Sequence, residues 1–260
     1  MRVKLVAGNW KMNGSLASSQ AWIRAILPPV AALPTGPVSR FAPHIRISPP
    51  SARLVQGSNV ALGAQDLAGL TTGHTGAVSG AMLADCGCRY AIVGHPSAAG
   101  SSGETDDAAS RRDSAQALKH GLTPILCVGR DAGAARGGRD GSVVGRQLDA
   151  VVAALRVPRR SRQRCSPTSR SGRSAPGRTP RRSRRRTCTR SCAGASRRAT
   201  KRSRRRCTIL YGGSVKPGTQ RSCSRCRTST AGLIGGASLV GGGFHRDLRA
   251  RAARSTANMI

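Results

Sequence analysis

Up to about residue 155 the chain alternates short apolar runs with longer stretches whose apolar positions recur at helical spacing. The runs Lys4–Ala7, Val60–Ala64, Ala91–Val93 and Thr123–Val128 predict strands. The stretches Ser18–Ala32, Ser79–Cys86, Ala108–His120 and Val143–Leu155 predict helices, the last of them stopped by Pro158 and the charges that follow. Strand and helix in regular succession is the pattern of a parallel sheet wrapped by helices. From Arg159 to Arg206 neither period survives. Runs such as Arg181–Arg186 and Arg202–Arg206 offer no apolar face to bury, so the segment of about 157–206 is predicted to be disordered or non-native. An apolar run returns at Thr208–Tyr211, an irregular patch covers Thr219–Thr230, and Gly232–Val240 is apolar again.

The length, 260 residues, suits a single α/β barrel, which takes roughly 250. No apolar run is long enough to span a bilayer, and the N-terminus lacks the apolar core of a signal peptide, so the expected address is the cytoplasm, with no membrane partner. Charge complicates this picture. Lys and Arg number 44 against 10 Asp and Glu, a formal net charge of +34, which ordinarily points to a polyanionic partner. Its distribution points elsewhere: between Asp149 and Asp247 there is no acidic residue, and the arginines crowd into Arg156–Arg206, so the excess belongs to one block. An Arg/Ser-rich nucleic-acid-binding protein built on a degenerate barrel is the alternative reading. Against it, the block interrupts the chain instead of extending from an end, and it carries no aromatic ring on which a base could stack. The nine cysteines, an odd number without an export signal, read as reduced thiols. Cys223 and Cys226, with Cys188 and Cys192, have ligand-like spacing, but no histidine lies between the pairs and neither forms a knuckle, so no metal is expected.

The candidate chemistry begins in Ala7-Gly8-Asn9-Trp10-Lys11-Met12-Asn13, where a lysine and an asparagine stand at a strand end, placed to meet a small anion. Alone, this is equally an ordinary strand end with a solvated lysine. Five further motifs follow in order: Gly63–Asp66 (GAQD), Cys88–His95 (CRYAIVGH), Gly121–Gly129 (GLTPILCVG), Tyr211–Pro217 (YGGSVKP) and Gly232–Leu239 (GLIGGASL). Together the six resemble the triosephosphate isomerase family.

The resemblance implies a (β/α)8 TIM barrel spanning residues 1–260 as one domain. It also implies a homodimer without cofactor that interconverts dihydroxyacetone phosphate and glyceraldehyde 3-phosphate through an enediolate. His95 resembles the electrophile, a neutral imidazole held so by a helix N-terminus. Lys11 resembles the lysine that neutralises substrate and oxyanion, and Asn9 its polar neighbour. Ser214, Gly235 and Gly236 resemble the phosphate cradle, where glycine lets backbone N–H groups approach an anion. Gly73-His74-Thr75-Gly76 resembles the loop that enters the neighbouring subunit, and Glu104 a helix-starting glutamate.

Several segments depart from the family pattern. The base glutamate is missing, its place falling at Ser169, and the lid is replaced by Arg170–Gly177. Ser97 stands where another active-site carboxylate belongs. In a displaced reading frame, however, codons for Ser166–Gly177 permit Ala-Tyr-Glu-Pro-Val-Trp-Ala-Ile-Gly-Thr-Gly, the family's base and lid. Similar displaced readings exist across about 45–54, 96–102, 130–138, 157–206 and 219–231. Compensating frameshifts in an isomerase gene account for this, and for the arginine block, because GC-rich codons read out of frame yield mostly Arg, Ser, Ala, Gly, Pro and Cys.

Overall fold

The computed structural model describes residues 4–32, 38–43, 49–70, 75–95, 107–129, 140–154, 168–170, 210–212 and 231–241. Its strands are β1 (Lys4–Gly8), β2 (Val38–Pro43), β3 (Leu62–Ala64), β4 (Cys88–Val93), β5 (Thr123–Gly129), β6 (Thr168–Arg170), β7 (Leu210–Tyr211) and β8 (Ala231–Ile234). They form one sheet in the order β2-β1-β8-β7-β6-β5-β4-β3, with every recorded pairing parallel. The two ends of that order, β2 and β3, lie against each other, so the sheet closes on itself as an eight-stranded barrel.

Period-two alternation divides the apolar side chains between two cores. Leu5 and Ala7 of β1, Tyr90 and Ile92 of β4, Ile125 and Cys127 of β5, Leu210 of β7 and Leu233 of β8 pack together in the barrel's interior. Their neighbours in sequence, Val6, Ala91, Val93, Leu126, Val128 and Ile234, belong instead to the shell between strands and helices. A strand buried on both faces is apolar throughout, which is why the sequence shows runs and not alternation. Cys88, at the start of β4, is buried, and that burial, followed by the nearby Cys86, pushes its thiol up to about 12. It is therefore a neutral packing group and not a nucleophile.

The shell is closed by α1 (Leu16–Ala31), α2 (Pro49–Val55), α3 (Gly80–Asp85), α4 (Asp107–Lys119) and α5 (Asp140–Ala154). Helix α1 buries Ser19, Trp22, Ile23, Ile26 and Val30, one stripe at helical spacing. It starts with a capping box made by two serines: Ser15 Oγ accepts from the Ser18 N–H at 3.1 Å, and Ser18 Oγ accepts from the Ser15 N–H at 2.7 Å. Helix α4 buries only small residues, Ser110, Ser114 and Ala117, which lets it lie close against the sheet. Ser114 Oγ donates to the Ser110 carbonyl at 2.7 Å, so the hydroxyl is satisfied inside the core. An Arg146–Asp107 ion pair ties α5 to the start of α4.

The predicted strands and helices all appear, with ends shifted by a few residues. Outside the arginine-rich segment, two elements had no strand or helix signal. In β2, Ser39 and Arg40 interrupt the apolar run, and α2 opens on Pro49 and Pro50, which fit a helix's first turn but read in sequence as loop. The arginine-rich segment differs from expectation at one place: Thr168–Arg170 is a strand, paired with β5 on one side and β7 on the other. The remainder of 157–206 lies outside the described residues.

Candidate active site

In a closed parallel barrel all strand C-termini open on one rim. The turn after β1 is the best-defined part of that rim. Asn9, buried, donates its backbone N–H to the Ile234 carbonyl at 2.7 Å and so joins the ends of β1 and β8. Gly8 allows this closeness, because a Cβ there would stand 3.1 Å from both Cβ and Oγ of buried Ser238. Trp10 turns inward and meets Trp22 of α1 edge-on, ring centroids 5.4 Å apart and planes at 80°. Asn13 Nδ2 donates to the Trp10 carbonyl at 2.6 Å, and Gly14, at φ 96, passes over the Trp10 ring where a Cβ would be 3.0 Å away.

Lys11, between these anchors, is exposed and has φ 56, the one side-chain-bearing residue with positive φ among those described. Such a backbone costs an L-residue roughly 1–2 kcal/mol. It persists here because both its polar groups are held. The Lys11 N–H donates to Asn9 Oδ1 at 3.0 Å and to Gln65 Oε1, and the Lys11 carbonyl accepts from Gln65 Nε2 at 2.7 Å. Gln65 follows directly on β3. Its motif was visible in the sequence, but nothing local showed that it would meet a residue 54 positions earlier.

His95 stands two residues beyond β4 and is buried. Gly94 sets its entry: φ is 65, and a Cβ there would lie 2.4 Å from Ser110 Oγ, so only glycine lets the chain turn this close to α4. Residues 96–106, which include Ser97, Glu104 and the helix start expected to face His95, lie outside the described residues.

Ser169 is the central residue of β6. Its register partners are Val128 and Tyr211. On β4, Val93 pairs with Leu126, so counting on by two brings position 95 level with Val128 and hence with Ser169 across the intervening strand. Ser169 thus stands at the height of position 95 on the same rim. Gly235 and Gly236 follow β8 and lead into a 3-10 turn, Gly236–Ser238. Ser238 Oγ donates to carbonyls of the same turn, 2.7 Å from Gly235 O and 3.2 Å from Ile234 O, and keeps it compact. Ser214 lies three residues past β7, outside the described residues, as do His74 of the predicted dimer loop and the cysteines Cys188, Cys192, Cys223 and Cys226. Among the described residues no group of three or more His, Cys, Asp or Glu is arranged to hold a metal, and no helix is long and apolar enough to cross a membrane.

Residues 4–248 match the family description "Triosephosphate isomerase". The triosephosphate isomerase of Albidiferax ferrireducens is 44% identical over 153 residues, 58% of this chain and 61% of that protein. That of Alkalilimnicola ehrlichii is 45% identical over 157 residues, 58% of this chain and 60% of that protein. The chain therefore aligns with about three fifths of the length of these relatives. The crystal structure of triosephosphate isomerase from Bartonella henselae superposes with a TM-score of 0.81 over 95% of this chain and 98% of that one, at 23% identity, a likeness of fold.

Proposed function

Because the chain belongs to the triosephosphate isomerase family, we propose that its rim is built to bind a three-carbon sugar phosphate and to move a proton between adjacent carbons. The observation that carries this reading is the gathering of Asn9 and Lys11, His95 and Gly235–Gly236 just past the ends of three strands of one parallel barrel, with Ser169 inside a fourth. In the family's reaction a base removes a proton from the carbon beside the carbonyl, the electrons move onto the carbonyl oxygen, the proton is returned to the former carbonyl carbon, and the hydroxyl proton passes to the other oxygen so that a new carbonyl forms. In this chain Nε2 or Nδ1 of His95 donates to the carbonyl oxygen, and the Lys11 ammonium offsets the charge that develops there. Backbone N–H groups at Gly235 and Gly236, with Ser214, receive the phosphate.

The base is the missing part. Ser169 occupies its position, and a hydroxyl does not accept a carbon-bound proton near neutral pH. Loss of that one function lowers turnover by roughly 10²–10⁴. Purified chain is therefore expected to isomerise glyceraldehyde 3-phosphate slowly, and Ser169→Glu to raise the rate at least about a hundredfold, the lower end of that range. Lys11→Met and His95→Gln should each abolish the gain. Equal rates in all four proteins, each folded, would refute the assignment.

The family resemblance also supports a homodimer, working in the cytoplasm. Thr75 and Gly76, at the end of the loop that would enter the partner, are exposed, as an unpartnered contact loop would be.

A further inference from the structure

Two carbonyls of the turn after β8 are held from inside the fold, and trans peptide geometry converts that hold into a direction for two amides. The Ile234 carbonyl accepts from the Asn9 N–H at 2.7 Å and from Ser238 Oγ at 3.2 Å. The Gly235 carbonyl accepts from Ser238 Oγ at 2.7 Å and from the Ser238 N–H at 2.8 Å. A hydroxyl has one proton, so the two oxygens share it, the nearer taking the larger part. Ser238 is fully buried, and its Oγ would stand 3.1 Å from a Cβ on Gly8 of β1, so its grip comes from the core side. A trans peptide is planar, its C=O and N–H pointing opposite ways, and among the described residues no peptide is cis. The Ile234 carbonyl shares its peptide with the Gly235 N–H, and the Gly235 carbonyl with the Gly236 N–H. Drawing both oxygens towards Ser238 therefore turns both N–H groups away from it. That side is open: Gly236 is exposed, and a Cβ on either glycine would meet no described atom within 4 Å.

We propose that Ser238 is a positioning residue: by holding the Ile234 and Gly235 carbonyls inward, its one buried hydroxyl aims the Gly235 and Gly236 N–H groups outward as paired donors for a single anion. The aim is a matter of this chain's own geometry. Its consequence for a ligand rests on the reading that these amides meet a sugar phosphate. Without the hydroxyl each carbonyl keeps one backbone donor, Asn9 N–H or Ser238 N–H. The two peptide planes can then swing about those single bonds, and donors that were preset must be oriented when the ligand arrives.

Two measurements on the full chain test this, with circular dichroism as the folding control. The first is the N–H residual dipolar couplings of Gly235 and Gly236, which report the direction of each bond. Ser238→Ala should change both while leaving that of Leu233, inside β8, as it was. Ser238→Cys keeps a weaker donor at the same place, so it should change them in the same direction by less, and it carries the test where the alanine variant does not fold. The second is calorimetric affinity for glycerol 3-phosphate. Ser238→Ala should weaken binding about tenfold, the worth of one hydrogen bond to a charged group. The same factor should appear in a Lys11→Met background, because amides and ammonium reach the ligand separately. Couplings indifferent to residue 238 overturn the aim. Altered couplings with unaltered affinity overturn the positioning role, and so does a weakening that vanishes in the Lys11→Met background, because Ser238 would then act through Gly8 on the lysine turn. Failure of the unaltered chain to bind, with the couplings still governed by Ser238, upholds the aim and sinks the sugar-phosphate reading instead.

Discussion

At the end of β4 the backbone passes through Gly94 at φ 65, within van der Waals reach of Ser110 on α4. Two separate demands meet on this one residue, a left-handed backbone and a missing Cβ. Gly94→Ala is therefore expected to lower stability by about 1–3 kcal/mol and to displace His95, which follows it. Thermal unfolding reads the first effect, and an unchanged melting midpoint would show that α4 yields easily. Lys11 presents the opposite solution to the same backbone problem. Its side chain is retained and the strained conformation is held from outside, by Gln65 and Asn9. Sequence alone marked Lys11, Asn9 and His95, because each sits in a local motif beside a strand end. It could not mark the left-handed turn or its clamp, since these depend on a contact 54 residues long that local pattern does not encode.

Among the elements, those with strong periodic burial were readable and those held by pairing were not. The β1, β4 and β5 runs are apolar on both faces, one filling the barrel and one meeting the helices, and this doubled demand leaves an unmistakable sequence trace. Thr168–Arg170 carries no such trace. It is a strand because β5 and β7 offer hydrogen-bonding edges on either side, in register with Cys127–Gly129 and with Leu210–Tyr211. Tertiary context outweighs local propensity here, as it often does for strands. Helix α1 was readable in its stripe, while its start lies two residues ahead of the predicted Ser18. Its two-serine capping box satisfies N–H groups that the first turn leaves open. Ser15→Ala removes one bond of the pair and should destabilise the chain by about 1 kcal/mol. Chemical denaturation would detect this as a lower midpoint at constant slope, and no shift would mean that solvent replaces the cap without loss.

On the scale of the whole molecule, two properties of the sequence pull in different directions. A family match that spans residues 4–248 runs through the arginine-rich block, and the barrel closes with a strand inside that block. Yet relatives align over only about three fifths of their length. The displaced reading frame expected from the sequence would reconcile the two: a gene for the complete barrel whose middle is translated one base out of step. On that expectation the +34 charge would reflect codon composition and not selection for binding. The most direct test of this account replaces residues 167–177 with Ala-Tyr-Glu-Pro-Val-Trp-Ala-Ile-Gly-Thr-Gly, returning a glutamate to position 169 together with a lid, and measures triose phosphate isomerisation against the unaltered chain. The account predicts a rise of at least about a hundredfold, the minimum worth of a restored base. A folded replacement that turns over no faster would contradict it, and would separate this barrel from the isomerase chemistry its rim was taken to serve.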